Sequence, residues 1–96
     1  MQGIILTLAD GRIHSLELPF ALSAAEARLL QTLARLGQAS EAELKRALNT
    51  RRVAGPLAAL RERLAQAGLD YIESTGVGAE GAIYRFRSEL LERRSA

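Results

Sequence analysis

The sequence predicts a small α+β domain: a β-hairpin, a core of three helices and a second β-hairpin. Three observations carry that order. Apolar residues alternate on either side of Asp10-Gly11. Two Ser-x-x-Glu signatures each open a stretch of helical apolar spacing, and a third such stretch follows. Two strand-like segments then flank a glycine-rich run from Gly76 to Gly81. At 96 residues the chain is near the lower end of what buries a self-sufficient core. One domain over 1–87, with a tail or short helix over 88–96, is the expected organisation. With no Trp and only two each of Tyr and Phe, aliphatic side chains must fill that core.

In the first segment Ile4, Leu6 and Leu8 fall on one side of a strand and Ile5 and Thr7 on the other. Asp10-Gly11 supplies the positive-φ residues of a tight turn, and Leu16 and Leu18 face one way on the returning strand. Pro19 ends the hairpin because it has no N–H to give a ladder. Ser23-Ala-Ala-Glu26 is a capping box, with Leu22 and Ala27 at the staple positions. Leu29, Leu30, Leu33 and Leu36 make the apolar face of the helix it opens, and Gly37 is placed to close it. Ser40-Glu-Ala-Glu43 repeats the device, with staple positions at Ala39 and Leu44. Its short helix turns Leu44, Ala47 and Leu48 inward and Lys45 and Arg46 outward, and Asn49 stops it.

The third helix carries Val53, Leu57, Leu60, Leu64 and Ala67 at steps of four and three, which puts them on one face. Gly55-Pro56 interrupts its start. Proline is free of penalty at the first helical position, so the regular helix is expected from about Pro56 to Ala67, with Thr50 to Ala54 as a looser lead-in and Gly68 as the terminator. Leu69 to Thr75 and Ala82 to Arg87 read as strands. Between them Gly76-Val-Gly-Ala-Glu-Gly81 matches GxGxxG, but a dinucleotide loop needs a helix after it and here a strand follows. The segment is therefore expected to be a hairpin tip.

The chain has no cysteine, which excludes disulfides, thiolate metal sites and cysteine nucleophiles. No apolar run approaches the ~20 residues of a membrane span, and no signal peptide is evident. The expectation is a soluble cytoplasmic protein. His14 is the only histidine, no metal-ligand spacing occurs, and no serine has a histidine base at a suggestive position. Glu41 and Glu43 are accounted for by capping and the helix dipole. The expectation is a protein that is not an enzyme and uses no metal, cofactor or small-molecule ligand.

The net charge of +2 is small, but residues 45–63 hold Lys45, Arg46, Arg51, Arg52, Arg61 and Arg63 against Glu62 alone, a net +5. Residues 64–83 carry −3. Positive charge thus gathers around the third helix and its approach, which suits a phosphate-facing surface and equally an ordinary solvated helix face.

Hairpin, three helices and hairpin, with the first two helices joined as in a helix-turn-helix, is the order of a winged helix-turn-helix. The sequence resembles the DNA-binding effector domain of OmpR/PhoB-type response regulators over most of residues 10–87. Its carriers are Asp10-Gly11-Arg12, Leu22-Ser-Ala-Ala-Glu26 with Leu29-Leu30, and Ser40 to Leu44. Further along come Arg51-Arg-Val53, Leu57, Leu60-Arg61, Leu64, Gly68, Ile72, Gly81 and Tyr84-Arg-Phe86. The resemblance implies that the third helix lies in the major groove of DNA and that the final hairpin, the wing, touches the neighbouring minor groove. Met1 lies close to the first strand, so a small protein complete in itself, without a receiver domain, is expected.

The residues on the face so assigned are Ala54, Pro56, Ala58 and Ala59, and the wing from Ser74 to Gly81 has Glu80 but no basic residue. Alanine offers base edges a methyl contact with thymine and no hydrogen bond. The loop from Asn49 to Arg52 is shorter than the family's polymerase-contacting loop. Two readings follow. The first is a DNA-binding transcriptional regulator on double-stranded DNA, with Lys45, Arg46, Arg51, Arg52, Arg61 and Arg63 on phosphates and Ala58 and Ala59 facing the bases with weak readout. The second is a winged-helix protein-interaction module, whose alanine face admits a partner helix or a second copy of the chain.

Overall fold

Two short antiparallel sheets and four helices form the architecture seen in the computed structural model, which describes residues 2–94. The elements in order are β1 (Gln2–Thr7), β2 (Ile13–Leu18), α1 (Ala24–Leu36), β3 (Gln38–Ser40), α2 (Glu41–Leu48), α3 (Ala54–Gln66), β4 (Ile72–Gly78), β5 (Gly81–Phe86) and α4 (Glu89–Arg94). One sheet is β1-β2 and the other is β3-β5-β4. The helical part of the expected 88–96 tail is α4, anchored by the buried Leu91. Its last two residues lie outside the described ones.

The first hairpin pairs Ile4 with Leu16 and Leu6 with His14. Its alternation works as period two requires: Ile4, Leu6, Leu8, Leu16 and Leu18 are buried, while Ile5 and Ile13 stand exposed. The turn differs from the expected pair of positive-φ residues. Only Gly11 has positive φ, at +89°. The Gly11 N–H donates to the Leu8 carbonyl (2.9 Å) and the Leu8 N–H to Arg12 (2.8 Å), so the loop is a turn closed by a glycine bulge. Asp10 stays out of the left-handed region and its carboxylate accepts from the Arg12 N–H (3.0 Å) and Nε (2.7 Å).

Helix α1 is the hub, in contact with β1, α2, α3, β3 and β5. Both capping boxes form. The Ser23 Oγ accepts from the Glu26 N–H (3.1 Å) while Glu26 Oε1 accepts from the Ser23 N–H (2.9 Å), and Ser40 and Glu43 repeat the exchange at 3.1 Å each way. The buried stripe of α1 is Leu29, Leu30, Leu33 and Ala34. Leu36, expected inward, sits at the edge of that stripe in the last turn and is partly exposed, and Ala34 takes its place. In α2 Leu44 is buried, but Ala47 is exposed.

The core is one cluster that joins these residues to Val53, Leu57, Leu60, Leu64, Leu69, Tyr71, Ile72, Phe86 and Leu91. Burying each such leucine stabilises the fold by roughly 1.5–3 kcal/mol. The Tyr71 and Phe86 rings stack with centroids 6.0 Å apart. Leu60 is fully buried, as its place in the stripe requires, whereas Ala67 is not in the stripe but is the exposed C-cap of α3. Beyond it Gly68, at φ +73°, closes the helix: its N–H donates to Ala65 (3.0 Å) and the Leu69 N–H to Leu64 (2.8 Å). That pair of bonds is the Schellman motif, with Leu69 and Leu64 both buried.

Strand β4 begins later than expected, at Ile72, because Leu69 and Tyr71 are drawn into the core ahead of the ladder. It pairs antiparallel with β5, and the two are joined through Ala79-Glu80, so the glycine-rich run is a hairpin tip. The sequence did not reveal β3. It is only three residues long and lies against β5, with Ala39 opposite Tyr84. Its effect is to attach the second hairpin to the start of α2.

Candidate nucleic-acid interface

Helix α3 begins in a different way from its two predecessors. No side chain caps it, no acidic residue occupies its first turn, and the N-cap is the buried Val53. The helix starts at Ala54, two positions before the expected Pro56. Proline is tolerated there because the first N–H groups of a helix have no intrahelical acceptor, and the residue its ring would crowd, Arg52, is outside the helix. The first helical hydrogen bond runs from the Leu57 N–H to the Val53 carbonyl, 2.9 Å. The N–H groups of Ala54 and Gly55 precede it, both on exposed residues. The positive end of the helix dipole therefore faces outward, without a carboxylate of its own.

Cations surround that end. Lys45, Arg51 and Arg52 line one open depression together with Val53, Ala54, Gly55 and Pro56. Arg51 and Arg52 are exposed and, among the described residues, form no ion pair. Thr50 fixes the short approach, its Oγ accepting from the Arg52 N–H (3.4 Å) and donating to the Arg52 carbonyl (3.3 Å). Asn49, in the left-handed region at φ +52°, turns the chain out of α2 so that the two arginines follow at once.

Farther along α3, Arg61 lies over the Tyr84 ring, 5.6 Å from its centroid. This cation–π contact ties the helix to β5, and Arg61 as a residue is half-buried. Ala58 and Ala59 are exposed on the intervening turn. The structure thus gathers Lys45, Arg51 and Arg52 at one end of the helix, with Ala58, Ala59 and Arg61 following along it.

The other two expected contacts, Arg46 and Arg63, are paired with residues of the chain itself. The Arg63 Nη1 donates to both Glu26 oxygens at 2.8 Å, its Nη2 donates to the Ala21 carbonyl, and the guanidinium lies over the Phe20 ring at 4.6 Å. It clamps α3 to the start of α1. Burial pushes the Glu26 carboxyl up, but the Ser23 N–H and the Arg63 guanidinium together outweigh that and hold it below its ordinary value. Arg46 pairs with Glu80 at 3.3 Å, so Glu80 is not the lone carboxylate that the sequence suggested. Neither partnership has a sequence signal, since each joins residues far apart in the chain.

The second hairpin carries no basic residue at its tip. Val77, between Gly76 and Gly78, is 83% exposed. A register shift between Ser74 and Gly76 bends the strand, and Gly76 takes φ +136°, where a side chain would be strained. The hairpin's base is charged but internally paired. Arg85 bonds Glu73 (2.7 Å) and Glu89 (2.9 Å) and holds the Glu89 carboxyl down to about 2. Among the described residues no cluster of His, Asp or Glu is arranged to hold a metal ion, and no helix is long and apolar enough to cross a membrane. In comparisons with known proteins, no family model, curated protein or solved structure matches the chain.

Proposed function

We propose that the chain is a winged helix-turn-helix protein that binds double-stranded DNA chiefly through its phosphates. The winged-helix reading draws support from the order of the elements and from β3, which ties the second hairpin to the helix pair. The observation that carries the function is the start of α3: unpaired first-turn N–H groups on exposed residues, no acidic cap, and Lys45, Arg51 and Arg52 around them. Helix N-termini and flexible cations are complementary to phosphate oxygens. Arg61 adds a cation on the wing side, while Ala58 and Ala59 contribute only methyl contacts to bases. Such an interface positions a duplex without reading much of its sequence.

The test is fluorescence anisotropy with labelled duplexes of random sequence. Wild type is expected to bind at low salt, with similar affinity for unrelated sequences. Arg51→Ala combined with Arg52→Ala is expected to weaken binding to all of them alike and to reduce the salt slope by ~2. A second reading, docking of a protein partner on the exposed alanine face, is favoured by the apolar tip at Val77. It becomes the better reading if wild type ignores duplex at low salt.

A further inference from the structure

Glu80 sits at the tip of the second hairpin, and its contacts run to α2 and to the Ser40 that caps it. Its carboxylate accepts from the Arg46 guanidinium through Oε1 (3.3 Å) and from the Ser40 hydroxyl through Oε2 (3.4 Å). Its backbone carbonyl accepts from the Ala42 N–H (3.3 Å). Next to it Gly81, at φ +97°, passes so close to α2 that an added Cβ would lie 3.4 Å from the Glu41 Cβ. The strand pairing explains this approach: with Ser40 opposite Ile83, the hairpin tip continues along the first turn of α2.

We infer that Glu80 is a built-in competitor for phosphate, a carboxylate that occupies the Arg46 guanidinium and so limits how tightly the protein holds DNA. This rests on the DNA-binding proposal above. The chemistry of the position supports it. The Arg46 guanidinium, in the last turn of the eight-residue α2, donates to a phosphate oxygen as readily as to a carboxylate oxygen. Both side chains of the pair are more than half exposed, at 65% for Arg46 and 51% for Glu80. An exposed pair of this kind is weak, so an incoming phosphate can take Arg46 from Glu80. Until it does, Arg46 contributes nothing to binding.

Glu80→Gln removes the charge and keeps a side chain that can accept from Ser40 and Arg46, so the hairpin stays in place. Glu80→Ser serves as a second carboxylate-free variant, and circular dichroism melts confirm that both are folded. Anisotropy titrations with a random duplex across a salt series are expected to show Glu80→Gln binding about three- to tenfold tighter than wild type, with a salt slope steeper by ~1. In an Arg46→Ala background that gain should disappear, while Arg46→Ala alone should change wild-type affinity little. A gain of the same size without Arg46 would mean that the carboxylate acts only through its long-range field, and would overturn the inference. So would wild-type affinity in both Glu80 variants, a result that leaves DNA binding itself intact. If neither wild type nor the variants bind duplex at low salt, the DNA proposal fails and the inference fails with it.

Discussion

Arg63 separates a structural cation from a phosphate contact, and its replacement gives opposite results in the two cases. The side chain is 37% exposed and its partner Glu26 only 13%. Removing it leaves Glu26 with the Ser23 N–H as a remaining donor. Hydrogen bonds to charged groups contribute about 1.5–3 kcal/mol each. Partial exposure of Arg63 cuts the value of the ion pair, and the Phe20 face adds roughly 0.5–1 kcal/mol. A net loss of ~2–3 kcal/mol is therefore expected for Arg63→Ala, equivalent in so small a domain to a melting temperature lower by roughly 10–20 °C. Arg63→Lys keeps the charge but loses the Nη2 bond to Ala21 and the planar group over Phe20, and should recover only part of that loss. Thermal and urea melts measure the stability, and duplex affinity is measured where both proteins are folded. An Arg63→Ala variant as stable as wild type that instead loses duplex affinity would refute the assignment of Arg63 as a clamp.

The remaining expectations concern the same clamp and the core. The Glu26 carboxyl titrates in the folded protein below its ordinary value of 4.5, so as pH falls the unfolded chain takes up that proton first. The clamp's contribution is complete above about pH 4.5–5 and is lost as pH falls through the folded value. Urea melts should show stability declining over that acid range in wild type, with a shallower decline in Arg63→Ala; parallel declines in the two proteins would contradict the coupling. Leu60→Ala, at a fully buried position on α3, should destabilise by ~2–5 kcal/mol through the cavity it leaves. Circular dichroism melts that leave it as stable as wild type would remove Leu60 from the core.

The fold was legible in the sequence wherever the signal is local. The two capping boxes, the alternation of Ile4, Leu6 and Leu8, and the stripe through Leu57, Leu60 and Leu64 each depend on neighbours a few residues away. The expected hairpins, the three core helices and the hairpin tip at Gly76–Gly81 all stand where those signals put them, with ends shifted by a few residues. What the sequence hid depends on distant partners. Strand β3 exists because β5 returns beside it. Arg63 finds Glu26 across a helix-helix contact, and Arg46 finds Glu80 across the hairpin. Charge counting treats the six cations of residues 45–63 alike, yet the structure divides them into engaged and outward-facing groups. The bare start of α3 is half legible: Gly55-Pro56 marks an irregular helix start, but only the fold places that start at Ala54, before the proline.

The central claim is that the cationic start of α3 holds the phosphates of duplex DNA. Its most direct test is the affinity of the wild-type protein for a random-sequence duplex as a function of salt. Counterion release by Lys45, Arg51, Arg52 and Arg61 is expected to give measurable binding at low salt and a logarithmic slope of roughly −3 to −4. No binding at the lowest salt, or an affinity that does not change as salt rises, would contradict it.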